Sequence, residues 1–277
     1  RMERALSTHV IVGHRLNTVW LERIRDAGFP LVEIFCARQH FDYRNKEQVH
    51  ELACWFADSE LKLHSLHSPM YSDDVWGRTG PGAVVSITEP SKPRRLESVD
   101  EIKRALEVAE KIPCRYLIQH VGVGGEEYSD AAVEAAFRAL EEISLFARHR
   151  GVEVLLENIP NGLSSAERLD YFLNTTHLDL GVCLDTGHAH MKEGVAAAFG
   201  ILGPRIRSTH IHDNNGVDDV HLYPLLAPGG SIGWPAVMNL LRSRPGQYPL
   251  LLELRESPGL PQALESAREV AERLENL

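Results

Sequence analysis

Two rhythms of apolar and polar positions alternate along this chain. Short runs that are continuously apolar, or that alternate every second residue, recur as "STHVIVG", "LVEIFCA", "LKLHSLH", "RYLIQHVG", "VEVLLENI", "LGVCLD", "IRSTHIHD" and "PLLLEL". They predict eight β-strands, the unbroken apolar ones being buried on both faces. Between them the rhythm lengthens to three or four residues. In "DAAVEAAFRALEEISLFARHR", Val133, Phe137, Leu140, Ile143 and Phe146 recur on one helical face. Ser98 with Glu101, and Ser164 with Glu167, have the spacing of capping boxes and predict two further helix starts.

Strand and helix thus alternate from end to end, with no linker, no low-complexity tract and no repeated motif. Eight such units predict an α/β fold, a single (β/α)8 barrel spanning residues 1–277 as one domain, rather than a doubly wound open sheet. One excursion is too long for a plain strand-to-helix connection. It runs over about residues 68–97, comes after the third strand, and has the length of a lid or binding loop on the catalytic face.

Composition narrows the classes of function. Hydrophobic residues at 43% and charged residues at 25% are globular values, so a large core can be buried. No run of about eighteen apolar residues could span a bilayer, and the first residues lack the apolar stretch of a signal peptide. The expected location is therefore the cytoplasm, with no membrane partner. Cys36, Cys54, Cys114 and Cys183 form no close pair and no C-x-x-C, and read as reduced core thiols. A formal net charge of -10 disfavours non-specific binding of polyanions, and the densest basic run, "KPRRLE", reads as a solvated loop or helix start.

Candidate chemistry sits at the carboxyl ends of the strands. The third ends at His67, the fourth at His120, the fifth at Glu157, the sixth at Asp185, the seventh at His210 and the eighth at Glu253. A lone histidine at a strand end is more often a hydrogen-bonded polar residue than a ligand. Six consecutive strands ending in ligand-type residues are another matter, because barrel strand ends converge on one pocket. Imidazoles mixed with carboxylates suit zinc, manganese, iron or cobalt better than calcium. In "GVCLDTGHAH", His188 adds a second ligand type three residues after Asp185.

The motifs "LLENIP", "GVCLDTGHAH", "THIHD", "DVHL" followed by "PGGSIGW", and "LLLEL" resemble the xylose isomerase-like barrel superfamily, which joins endonuclease IV with sugar isomerases and epimerases. The resemblance extends over nearly the whole chain. It implies a divalent metal, zinc or manganese, held by Glu157, Asp185, His210 and Glu253. It further implies that His67, His120, His188, Asp219 and His221 stand where the endonuclease IV branch builds additional metal sites, for one to three ions in all. Gln39 in "FCARQHFDY" and Tyr71 fall near positions that the nuclease uses, whereas "LYPLLAPGG" is longer than its glycine turn.

Two chemistries are compatible with this set. In the first, the chain is a metal-dependent isomerase or epimerase of a small sugar or sugar phosphate. Glu157 and Glu253 move the proton through a metal-stabilised enediolate, and His188, His67 and His120 contact substrate. In the second, it is an endonuclease IV-like multi-metal phosphodiesterase acting on abasic DNA or another phosphoester. Five extra ligands favour hydrolysis. The acidic balance and the poorly matching loops favour the sugar, and nucleic acid is a partner only in the alternative. A non-catalytic binding module would require the cluster to be vestigial, yet none of its core carboxylates is missing.

Overall fold

The computed structural model describes residues 1–75, 80–260 and 262–277. Eight strands form one parallel sheet: β1 Arg4–Ser7, β2 Leu31–Phe35, β3 Lys62–His67, β4 Tyr116–His120, β5 Glu153–Glu157, β6 Gly181–Asp185, β7 Ile206–His210 and β8 Leu250–Leu252. From β1 to β7 each strand pairs with its sequence neighbours, and β1 also pairs with β8. The ring closes between β7 and β8. There Ile211 donates its N–H to the Leu251 carbonyl at 2.8 Å and accepts from Glu253 N at 3.1 Å, while Thr209 Oγ1 donates to the Pro249 carbonyl at 2.8 Å. The architecture is a TIM barrel, as the alternating rhythm predicts.

Two irregularities in register aim side chains. Between β2 and β3 the pairing steps from Val32–Leu63 to Glu33–Ser65, so His64 is extra. Between β6 and β7 it steps from Val182–Ile206 to Cys183–Ser208, so Arg207 is extra. Bulges of this kind bend a strand and redirect the residues beyond them. The first sets Ser65 beside Glu33, whose carboxylate accepts from Ser65 Oγ at 2.6 Å inside the barrel.

Local details depart from the sequence pattern. The first strand is Arg4–Ser7 and shares only Ser7 with the predicted run "STHVIVG", because Ser7 Oγ accepts from His9 N and caps a 3-10 turn over Thr8–Ile11. Ser98 lies inside the helix Lys92–Leu106, whose N-cap is Ser91. The long excursion therefore ends by residue 91, and residues 76–79 of it lie outside the described residues. The helix predicted from Ser164 is capped by Ser165, whose side chain accepts from Arg168 N. The helix Asp130–Arg148 buries Ala132, Ala135, Ala136 and Ala139 with Leu140 and Ile143, while Val133, Phe137 and Phe146 are only partly covered. Alanines let the helix approach closely, and periodicity counted on bulky residues alone misses that face. Cys36, Cys114 and Cys183 are buried thiols, but Cys54 is exposed. No helix among the described residues is long and apolar enough to cross a membrane.

The connection from β7 to the next helix, Trp234–Arg242, is braced by a bridge and by one buried carboxylate. Asp213 and Leu222 pair as an antiparallel bridge, closing the turn that carries Asp219 and His221. The Asp213 carboxylate then accepts from the N–H groups of Asn214, Ser231 and Ile232 at 2.7–3.1 Å and from Trp234 Nε1 at 2.9 Å. Gly230 is required beside it, since a Cβ there would run into that carboxylate. "HD" and "PGGSIGW" are thus one structural unit. Asp213→Ala strands several buried donors and is expected to cost about 3 kcal/mol. A urea unfolding midpoint equal to that of the parent would refute this role for Asp213.

Candidate metal centre

All six strand-end residues gather at the carboxyl end of the barrel. Glu157, Asp185, His210 and Glu253 are essentially buried and form the floor. His210 Nδ1 lies 3.2 Å from Glu157 Oε1, 3.3 Å from Glu253 Oε2 and 3.8 Å from Asp185 Oδ2. Two further groups share this floor. His67 Nε2 and His120 Nε2 approach Glu157 Oε1 at 3.4 and 3.1 Å. His188 Nε2 and His221 Nε2 approach the two oxygens of Asp219 at 3.0 and 3.3 Å. Among the described residues these form three ligand-type groups, each compact enough to hold an ion, with Glu157 common to two of them.

The histidines are oriented by what their other nitrogen touches. A carbonyl or carboxylate oxygen can only accept, so the ring nitrogen facing it carries the proton. His67 Nδ1 donates to the Ser68 carbonyl at 2.9 Å, His188 Nδ1 to Asn158 O at 2.8 Å, and His221 Nδ1 to Glu253 O at 2.9 Å. His210 Nε2 donates to Glu33 Oε1 at 2.8 Å, and His212 Nε2 to Asp185 Oδ1 at 2.8 Å. In the neutral ring the remaining nitrogen of each is then a bare lone pair aimed at carboxylate oxygens. Acceptor facing acceptor is repulsive unless a proton or a cation lies between, and this outer-sphere tethering is typical of metal-binding histidines.

Several buried polar atoms bear this out by having no hydrogen-bond partner: His210 Nδ1, Glu253 Oε2, His212 Nδ1 and Asp219 Oδ1. The first two face one another at 3.3 Å and the last two at 4.0 Å. Buried groups left unpaired cost stability, so such atoms mark a place for something else. Titration behaviour reflects the same geometry. Burial alone would raise the Glu157 carboxyl, but His210, His120 and His188 hold it well below its usual range. Burial pushes Asp185 up to about 7, because Glu157 and Asp219 add to that effect while His188 and His210 oppose it. His212 is pushed well below the ordinary histidine value by burial and by neighbouring His221 and His188.

Glu33, His212 and His9 belong to the site without standing at the end of a strand. Glu33, a carboxylate in the middle of the apolar run "LVEIF", is a signal the sequence did carry. His212 needs the tertiary structure, because its ring packs where a Cβ on Gly187 would otherwise sit. His9 is delivered by the 3-10 turn after β1, and burial pushes its pKa down to about 3. His221 has φ 49°, a left-handed conformation uncommon outside glycine, with its ring held by the Glu253 carbonyl. Above the centre opens a cavity of ≈ 250 Å³, bordered by His9, Phe35, Gln39, Met70, Tyr71, Asp219 and Arg255, with Glu157 and Glu253 deeper in.

Comparison with known proteins agrees with this architecture. A family model described as the xylose isomerase-like TIM barrel matches residues 21–277. A protein named probable endonuclease 4, from Haloquadratum walsbyi (strain DSM 16790 / HBSQ001), is 24% identical over 190 residues, covering 65% of this chain and 58% of its own length. The crystal structure of a D-tagatose 3-epimerase-like protein superposes with a TM-score of 0.76 at 24% identity, covering 99% of this chain and 98% of that one. The structure of an IOLI protein with a bound zinc atom superposes with a TM-score of 0.77 at 18% identity, covering 99% and 96%. Matched along nearly its whole length and built as the matching barrel, the chain belongs to the xylose isomerase-like TIM-barrel family.

Proposed function

We propose that this protein is a divalent-metal-dependent enzyme that moves a proton on a small sugar or sugar phosphate. One observation carries the reading: Glu157 and Glu253, from strands three apart around the ring, both lie within 3.3 Å of His210 Nδ1 beneath a cavity of ≈ 250 Å³. That volume is below the ~300–1,000 Å³ of pockets for drug-sized ligands and is on the scale of one sugar. Glu157, Asp185, His210 and Glu253 are the residues that would hold the ion, and the orphaned His210 Nδ1 and Glu253 Oε2 fit one. The ion supplies Lewis-acid polarisation of a carbonyl and its neighbouring hydroxyl, which acidifies the C–H between them.

The chain's own groups do the rest. Glu253 takes or returns the proton through a carboxylate oxygen, and Glu157 serves the opposite face. Glu33 accepts from His210 Nε2 and so turns Nδ1 toward the ion, which can bind there once that nitrogen has lost its proton. His67, His120 and His188 line the cavity where substrate hydroxyls would lie. A second reading, phosphoester hydrolysis, has a specific observation in its favour. The groups His67–His120–Glu157 and His188–His212–Asp219–His221 have the make-up of further metal sites, and Asp219 Oδ1 with His212 Nδ1 is a second orphaned pair.

Metal loading should be governed by pH. Burial lowers the pKa of His67, His188, His210 and His221, but the carboxylates around them outweigh it and hold all four above the ordinary 6.5. A raised folded pKa stabilises the metal-free fold fully below the unfolded value, and that contribution is lost as pH climbs through the folded value. An ion competes with these protons for the same nitrogens. In chelator the thermal midpoint should therefore fall as pH rises above neutrality. Added zinc should raise it by on the order of 5–10 °C at pH 8 and by little at pH 5. Equal zinc shifts at both pH values would argue against these histidines as ligands.

The reaction itself is tested in deuterated water with a panel of ketoses and ketose phosphates. Deuterium should enter at the carbon beside the carbonyl, and Glu253→Gln should lower kcat by about 10²–10⁴-fold with a much smaller change in KM. If the panel stays inert while duplex DNA with an abasic site is cut in a chelator-sensitive way, hydrolysis replaces proton transfer. Metal content after purification without added ions separates the readings from another side, with one tight ion expected here and three in the alternative.

A further inference from the structure

Among the described residues, Arg255 is the one lysine or arginine that lines the cavity over the candidate metal centre. It lies two positions after Glu253 on the continuation of β8. Leu254 between them is fully buried in the core, and Arg255 N donates to the His221 carbonyl at 3.3 Å. Both border the same cavity, Glu253 buried and Arg255 exposed, so the glutamate lines its depth and the arginine its mouth. Among the described residues, no carboxylate stands within ion-pairing reach of the Arg255 guanidinium. Adjoining Glu256 pairs with His14 at 3.4 Å instead.

An arginine on the wall of an acidic cavity, in a chain of net charge -10, would be expected to neutralise a neighbour. This one does not, so its donors remain available to whatever enters. His9 stands beside it with Nδ1 donating to Leu254 O at 2.7 Å, which leaves Nε2 as an acceptor for a hydroxyl. The wall therefore offers a cation at the entrance and a neutral acceptor farther in.

We propose that Arg255 determines specificity by holding the anionic group, a phosphate or a carboxylate, of an acidic sugar whose other end reaches the candidate metal centre. This rests on the small-sugar reading above. The planar guanidinium can grip either group with two parallel N–H bonds. Because Arg255 is exposed at the mouth, the anion keeps part of its hydration and escapes the full cost of burying a charge. A neutral sugar would leave the guanidinium solvated and gain nothing from it.

The test is calorimetric titration of the zinc-loaded chain with ribitol, ribitol 5-phosphate and ribonate. One or both anions should bind at least about tenfold more tightly than ribitol, and the tighter of the two identifies the group recognised. Arg255→Met should erase that preference while leaving ribitol affinity and the thermal midpoint unchanged. Arg255→Lys, a point charge without the fork, should restore part of it. A preference that survives in Arg255→Met overturns the inference, since metal alone would then hold the anion. Equal binding of all three compounds also overturns it and leaves proton transfer untouched. Should none of the three bind, the inference falls, and the deuterium experiment decides whether the small-sugar reading falls with it.

Discussion

Three carboxylates, Glu157, Asp185 and Glu253, are buried together at one end of the barrel, and no lysine or arginine among the described residues is in ion-pairing contact with them. Moving a carboxylate out of water costs several kcal/mol even after relaxation, and like charges a few ångströms apart add to that. The fold meets this cost mainly through imidazoles, with the His188 backbone N–H donating to Asp185 Oδ1 at 2.8 Å, and every imidazole has to be turned the right way. Much of the surrounding structure can be understood as serving that requirement. Ser68, Asn158 and Glu253 offer backbone carbonyls that fix His67, His188 and His221. Glu33, itself bonded to Ser65, fixes His210.

That chain of dependence extends outward from the centre. Glu33 meets Ser65 only because the β2–β3 pairing skips His64. His221 reaches Asp219 because the β7 loop is pinned shut by the Asp213–Leu222 bridge and the four bonds to the Asp213 carboxylate. The closing bonds from Ile211 to Leu251 and Glu253 bring β8 against β7, which sets Glu253 beside His210. Rigid strands therefore carry the floor of the site, and braced loops carry its outer ligand-type residues. A site held this firmly is preorganised, which is what electrostatic catalysis needs.

The same arrangement is what makes two readings compatible with one barrel. The innermost group is suited to one ion and two acid-base carboxylates, while the outer groups extend it toward a site of several ions. The borders of the cavity differ in character from its floor. Phe35, Met70 and Tyr71 give an apolar rim, and Arg255 supplies the only lysine or arginine charge among the described lining residues. Selectivity in such a family would thus reside in the rim and chemistry in the floor.

The eight-unit barrel was legible in the linear pattern, because strand and helix periods differ and the carboxyl ends of barrel strands must meet. For that reason His67, His120, Glu157, Asp185, His210 and Glu253 could be grouped from the linear order alone. His188 could be added from its spacing after Asp185, whereas Asp219 and His221 came through family likeness, since loop residues obey no period. Tertiary structure alone decided the rest. The bulge that seats Glu33, the approach of His212 over Gly187, the tautomer of each imidazole and the placing of His9 and Arg255 all depend on contacts between segments far apart in sequence. Periodicity reports which face of an element is buried. It carries no information on which atom of a buried residue meets which partner, because that is set by packing across the barrel.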